Sequence, residues 1–285
     1  MARAYIGTSG WHYDHWRGAF YPEDLAAKDR LAFYAGRFDT VEINNSFYRL
    51  PTPAAIEQWR DGVPKDFCFA VKASRYTTHM KRLKDPPSSF EKFFAVVDQL
   101  GHKLGPILFQ LPPKFKPDLD RLKTFVAALP KRHRYAFEFR DERWFADEVL
   151  AILTERNCAF CIFDIGGMQS PIWTSADFVY LRLHGPGAKY QGSYDDRVLT
   201  DWAVKLHAWL ADGHDVYCYF DNDQTGFAAR DALRLRECIE KGASRKTRHR
   251  QHVLTPPRAA SVKAHAALPM REASETSLSR PLRTS

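Results

Sequence analysis

The 285-residue chain contains no uninterrupted run of 18 apolar residues, so no segment reads as a membrane-spanning helix. Its first residues, Met1-Ala2-Arg3-Ala4-Tyr5-Ile6-Gly7, pass straight into strand-like sequence without the apolar stretch of a signal peptide. Cysteine is scarce and odd in number. The five, Cys68, Cys158, Cys161, Cys218 and Cys238, are scattered, which argues against a disulfide framework and for a reducing compartment. The expectation is a cytoplasmic protein. Neither H-x-H nor H-E-x-x-H spacing occurs, and Gly7-Thr8-Ser9-Gly10 lacks the spacing of a dinucleotide-binding turn. Cys158 and Cys161 do read C-x-x-C, but within a strand a separation of three sends side chains to opposite faces. A buried structural pair is therefore expected, rather than a redox or zinc site.

The body also lacks net charge. The formal +8 of the chain resides in its last segment, where residues 241–285 hold ten Lys/Arg against two acids. Residues 1–240 carry 32 of each sign, so the basic isoelectric point says nothing about what the body binds. From Gly242 to Ser285 periodicity is lost and Arg, Ser, Thr, Pro and His dominate, which predicts a disordered basic tail over 241–285. A solvated extension with no dedicated partner is the favoured reading of that tail, and contact with nucleic acid is left open through it alone.

What is present is alternation. Eight β-rich runs are spaced along residues 1–240: Arg3 to Ser9, Thr40 to Asn44, Phe67 to Ala73, Pro106 to Leu111, Tyr135 to Phe139, Ala159 to Asp164, Phe178 to His184 and Val216 to Asp221. Between them lie helical segments such as Pro53 to Arg60, Ser88 to Leu100, Asp118 to Leu129, Phe145 to Arg156, Arg197 to Ala211 and Gly226 to Glu240. Ser88 or Ser89 ahead of Glu91 predicts one helix start, and Asp118 after Pro117 another. Eight β-α units predict a (β/α)8 TIM-type barrel as one domain, 1–240, with reacting groups at the C-terminal strand ends.

Barrel strands send alternate residues inward, so parity along each strand selects candidates. Glu42 and Asn44 share a face opposed to Val41 and Ile43, while Lys72 and Ser74 alternate with Phe67, Phe69 and Val71. Ala136 shares a face with Glu138 and Arg140, and Tyr180, Arg182 and His184 oppose Val179, Leu181 and Leu183. Gln110, Asp164 and Asp221 close their strands. Polar groups gathered at one end of a barrel must be hydrogen-bonded or ion-paired, so they form either a site or a neutralising web. The loops that follow are aromatic: Trp11, His12, Tyr13 and Trp16, then Phe47 and Tyr48, Trp144, and Tyr190 and Tyr194. Such rings stack on a sugar or base, or cover the core edge; the latter is expected of Trp16 and Phe47.

Several motifs, in order, carry a resemblance: Thr8-Ser9-Gly10-Trp11; Val41-Glu42-Ile43-Asn44 with Phe47-Tyr48-Arg49-Leu50-Pro51; Leu108-Phe109-Gln110-Leu111-Pro112-Pro113; Phe137-Glu138-Phe139-Arg140; Tyr180-Leu181-Arg182-Leu183-His184-Gly185; and Tyr219-Phe220-Asp221-Asn222-Asp223. Over residues 3–240 the chain resembles the YecE-like family, a domain of unknown function. The resemblance implies a TIM-barrel fold and no established activity. Family members often have Asn where this chain has Asp221.

The leading expectation is an enzyme using acid–base or hydrolytic chemistry on a small polar substrate, anionic or sugar-like. Glu42 and Glu138 serve as acid and base, His184 shuttles a proton, and Lys72, Arg140 and Arg182 hold negative charge. Asn44, Gln110, Asp164, Asp221, Trp11 and Tyr190 complete the substrate-binding set. A variant makes Glu42, Glu138, Asp164, His184 and Asp221 ligands of a divalent cation; it is less favoured because the three basic residues compete for the same carboxylates. The alternative class is a nucleotide- or single-stranded nucleic-acid-binding protein without catalysis.

Overall fold

In a computed structural model, residues 2–253 are described. Eight parallel strands and one short antiparallel strand alternate with helices. They are β1 (Ala4–Thr8), β2 (Thr40–Ile43), β3 (Cys68–Lys72), β4 (Leu104–Gln110), β5 (Tyr135–Glu138), β6 (Cys158–Ile165), β7 (Met168–Gln169), β8 (Phe178–Leu183) and β9 (Asp215–Phe220). The sheet runs β1-β9-β8-β6-β5-β4-β3-β2, with β7 folded back on β6. The α-helices are α1 (Arg30–Ala35), α2 (Pro53–Asp61), α3 (Pro86–Val97), α4 (Leu119–Ala128), α5 (Asp147–Glu155), α6 (Asp196–Ala211) and α7 (Phe227–Val253). The eight runs of the sequence reading are the eight parallel strands, to within a few residues at their ends.

The two ends of the sheet, β1 and β2, meet through a bridge between Ser9 and Glu42. The Gly10 N–H donates to the Glu42 carbonyl at 2.8 Å. Below that point the strands splay, and the Tyr34 hydroxyl of α1 fills the seam. It accepts from the Thr8 N–H at 2.9 Å and donates to the Thr40 carbonyl at 3.1 Å. Gly7 is required here because a Cβ would collide with the Thr40 carbonyl oxygen. The barrel is thus closed by one tyrosine hydroxyl and one strand-end bridge, satisfying backbone groups that would otherwise be buried and unpaired.

Helix α4 illustrates how the outer layer forms. Asp118 accepts from the Arg121 N–H at 3.0 Å as its N-cap, as the sequence predicts. Leu122, Phe125 and Val126 lie on its buried face, and Pro130 follows its end. Helix α3 starts differently from the expectation. Asp85, in left-handed backbone, precedes Pro86 at the first turn, and Ser88 lies inside the helix with its hydroxyl on the Asp85 carbonyl. Proline at the first helical positions needs no N–H partner and presets φ, which sets the start three residues earlier than a Ser88 cap would.

Helix α7 is the other correction. It continues past Glu240 to Val253, because the Lys/Arg/Ala/Gln-rich stretch holds no proline before Pro256. The rest of the expected tail, 254–285, lies outside the described residues. Among the described residues no helix is long and apolar enough to cross a membrane.

Between strands and helices lies an aromatic core. Phe109 stacks on Phe137 at 5.3 Å and Phe139 on Trp144 at 4.9 Å, each ring fully buried. Inside the barrel a second cluster fills the lower layers: Ala70, Leu108, Ala136, Cys161, Tyr180, Tyr217 and Tyr219. Cys158 belongs to the outer core and Cys161 to the interior, both free thiols, as their spacing predicts. Burial raises the Cys161 thiol pKa well above the ordinary range, and the adjacent Glu138 adds to the effect, so it is an inert packing residue.

Candidate active site

Above this apolar layer, the inward positions change character at the next side chain on several strands. Ala70 is followed by Lys72, Ala136 by Glu138, Tyr180 by Arg182 and Tyr219 by Asp221. The strand register staggers these positions, pairing Lys72 with Leu108, Glu138 with Gln110 and Arg182 with Tyr219, and the long charged side chains span the stagger. Charged residues distant in sequence therefore meet at the C-terminal mouth, as parity predicts.

Arg182 is the hub and is fully buried. Its guanidinium donates to Glu42 Oε1 at 2.7 Å, to Glu138 Oε2 at 2.9 Å, to Asp221 Oδ2 at 3.0 Å and to the Ser9 hydroxyl at 3.1 Å. Burial alone would lower its pKa, but the three carboxylates reverse that and hold it well above the ordinary value. Glu42 has no free oxygen: Oε1 also accepts from Ser9, and Oε2 accepts from the Tyr180 hydroxyl at 2.7 Å. Glu138 takes Arg182 on one oxygen and the Arg140 Nε on the other. Its burial favours the neutral form, yet the Arg140 and Arg182 guanidiniums outweigh this and keep the carboxyl ionised far below the usual range.

His184 is fully buried beside Arg182. Burial, then Arg182 and Arg140, push its pKa well below the imidazole range, so it is neutral. The two guanidiniums then donate to Nε2, at 3.0 Å from Arg140 and 3.3 Å from Arg182, and Nδ1–H donates to Asp221 Oδ2 at 3.0 Å. The arginines fix the tautomer, and the tautomer fixes the Asp221 contact. Burial raises the Asp221 pKa, with Arg182 opposing; its side chain keeps 9% exposure.

Lys72 stands apart. Its ammonium lies 4.4 Å from the centre of the Phe47 ring, and among the described residues no carboxylate comes within ion-pairing distance of it. Burial, reinforced by Arg182, lowers its pKa to about 8. Arg140 is the other cation with exposed surface, its side chain 10% accessible. Tyr190 packs edge-on to the His184 ring at 5.6 Å and is 44% exposed, in left-handed backbone with φ of 64°.

Not all expected site residues join this cluster. Asp164 falls on the opposite parity from Cys161 and Phe163; it is half-buried, burial raises its pKa, and it faces the Tyr194 hydroxyl instead. Phe163 occupies the inward position, its ring 5.1 Å from the Arg140 guanidinium carbon. Trp11 is 2% exposed and edge-packed on Trp59 at 5.2 Å, forming a wall rather than an open stacking platform. Asn44 and Trp11 instead line a cleft of about 190 Å³ with Tyr13 and Tyr48, where Asn44 Oδ1 is buried without a partner. Gln110 is half-buried, its amide reaching only the Leu111 carbonyl at 3.4 Å. Trp16 and Phe47 are buried, as expected of core-edge rings. Ser9 and Tyr180 were not among the expected site residues, although strand parity points both inward.

The donor set does not suit a divalent cation. The carboxylates that would bind it accept from arginines, and among the described residues no group of three His, Cys, Asp or Glu is arranged to hold a metal. A larger cleft of about 470 Å³ lies near the start of β5 and β6, lined by His133, Arg134 and Cys158, at the opposite end from this chemistry.

Fold and site together define a parallel (β/α)8 barrel carrying a buried guanidinium–carboxylate cluster at its C-terminal mouth. The chain belongs to the DUF72 family, described as a protein of unknown function, whose model matches residues 5–254. It is 28% identical over 273 residues to the UPF0759 protein YunF of Bacillus subtilis, covering 83% of this chain and 94% of that protein. With the UPF0759 protein YecE of Escherichia coli K12 it shares 29% identity over 143 residues, half of each chain. The crystal structure of a DUF72 family protein from Thermotoga maritima superposes with a TM-score of 0.76 at 28% identity, covering 84% of this chain and 99% of that one. One from Enterococcus faecalis shares the fold, with a TM-score of 0.68 at 18% identity over 83% of this chain and 95% of its own.

Proposed function

We propose that the barrel is an enzyme acting on a small polar, anionic or sugar-like substrate by acid–base or hydrolytic chemistry at the C-terminal strand ends. The observation that carries this reading is the division of labour within the cluster. Glu42, Glu138, Ser9, Tyr180 and Arg182 are buried, and each oxygen of the two glutamates already accepts from Arg182, Arg140, Ser9 or Tyr180, which makes them a preorganised frame rather than reacting groups. At its rim, Lys72, Arg140 and Asp221 keep exposed surface. Arg140 and Lys72 hold the anionic or hydroxyl-rich substrate, and Asp221, paired with His184, exchanges the proton. A purely neutralising web would have no use for a lysine without a carboxylate partner, since burying an unpaired charge is unfavourable.

The test is thermal unfolding of the full-length protein with a panel of sugar phosphates, hydroxy acids, keto acids and neutral sugars. At least one anionic class is expected to raise the Tm by several degrees at about a hundredfold excess over its Kd. The shift should vanish in Arg140→Met, measured against that variant's own baseline. A panel that leaves Tm unmoved in the wild type removes the reading.

A further inference from the structure

We propose that Lys72 condenses with the carbonyl carbon of a small anionic aldehyde or ketone to form an imine, with Arg140 holding the anionic group. This names the substrate class for the site proposed above and rests on that reading.

Three features of the geometry carry it. Lys72 ends strand β3 and points inward, so its amine stands on a rigid element rather than a loop. Every carboxylate of the cluster is occupied by guanidinium: Glu42 by Arg182, Glu138 by Arg140 and Arg182, and Asp221 by Arg182 and His184. Arginine cannot shed its proton whereas lysine can, so the arrangement leaves the titratable cation unpaired beside permanent ones. Finally, Lys72 is 8% exposed while Arg182, Glu42, Glu138 and His184 are fully covered, so the cluster's one amine side chain is not sealed off from the mouth. A desolvated lysine next to another cation and against an aromatic ring is the environment that makes an amine nucleophilic at neutral pH, consistent with its pKa near 8.

The step balances without oxidant or reductant. The neutral amine attacks the carbonyl carbon, a C–N bond forms, and the carbonyl oxygen takes up a proton to give the carbinolamine. Nitrogen then loses its proton, the hydroxyl departs with a second proton as water, and a C=N bond remains. Asp221, hydrogen-bonded to His184 and partly exposed, is the group of the cluster able to supply and take back those protons.

The experiment treats the full-length protein with glyoxylate and sodium cyanoborohydride at pH 7 and maps adducts by peptide mass spectrometry. Beside the N-terminal α-amine, whose ordinary pKa is also close to 8, one reduced adduct per chain is expected at Lys72, formed at least about tenfold faster than at the average surface lysine, because far more of a pKa 8 amine is neutral at that pH. Lys72→Arg and Lys72→Met, each checked for a native melting transition, should lose that fast adduct. Labelling scattered over surface lysines, or Lys72 left unlabelled, overturns the imine. If Lys72 is unlabelled while anion stabilisation through Arg140 persists, the imine alone falls; if both are missing, the site reading falls with it.

Discussion

Lys72 is the residue at which the mouth departs from electrostatic comfort, and it couples stability to pH. Its pKa falls from 10.5 to about 8 on folding, so between those values the unfolded chain binds a proton that the folded protein does not. Stability therefore rises with pH across that window, and the contribution is lost as pH falls through 8. At pH 7 the buried charge is a liability on the order of 3 kcal/mol. Lys72→Met is accordingly expected to be more stable than the wild type at neutral pH and to show a flatter rise in its urea midpoint between pH 8 and 10.5. Equal pH dependence in the two proteins would show that the amine is not desolvated. The opposite logic holds for Arg182, whose removal would leave Glu42, Glu138 and Asp221 buried without their shared cation. On the function proposed above, lysine at 72 is kept against stability while arginine at 182 holds the frame around it.

Among the elements, the seam between β1 and β2 is the place where the cylinder depends on a side chain. Strands elsewhere in the ring pair through backbone ladders, whereas here Tyr34 from α1 carries the Thr8 and Thr40 groups. Tyr34→Phe keeps the ring and its packing on Phe38 at 4.6 Å but leaves a buried N–H and a buried carbonyl without a partner. A loss of about 1–3 kcal/mol is expected in urea unfolding, with faster amide exchange at Thr8 than in the wild type. Unchanged exchange at Thr8 would mean that the strands close by themselves. Because Ser9 and Gly10 at the top of this seam contact Glu42, loosening it also frees one edge of the arginine frame.

For the whole molecule, the described residues up to Arg245 form one compact unit, and among the side chains of α7 whose burial is described the last fully buried are Ala232 and Leu235. A chain ending at Arg245 is therefore expected to keep the full-length unfolding midpoint and to elute earlier from a cation exchanger, since most of the excess positive charge is removed. A lowered midpoint would assign residues 246–285 a part in barrel stability. The eight strands, their inward parity and the polar mouth were legible from periodicity, because alternation along a strand is a local property that every barrel strand obeys. The same count applied to β6 excludes Asp164 in favour of Phe163, and it points Ser9 inward with Tyr5 and Gly7. Only tertiary structure decided which charges meet which. Glu42 and Glu138 have the same chemistry and parity as a reacting pair, yet a single guanidinium reaching both from β8 uses their oxygens, while Lys72 is left over. Sequence therefore determined the cylinder and the end at which charge collects. The partition of that charge into a saturated frame and one unpaired amine depends on distances of a few ångströms across the barrel, which no local pattern encodes.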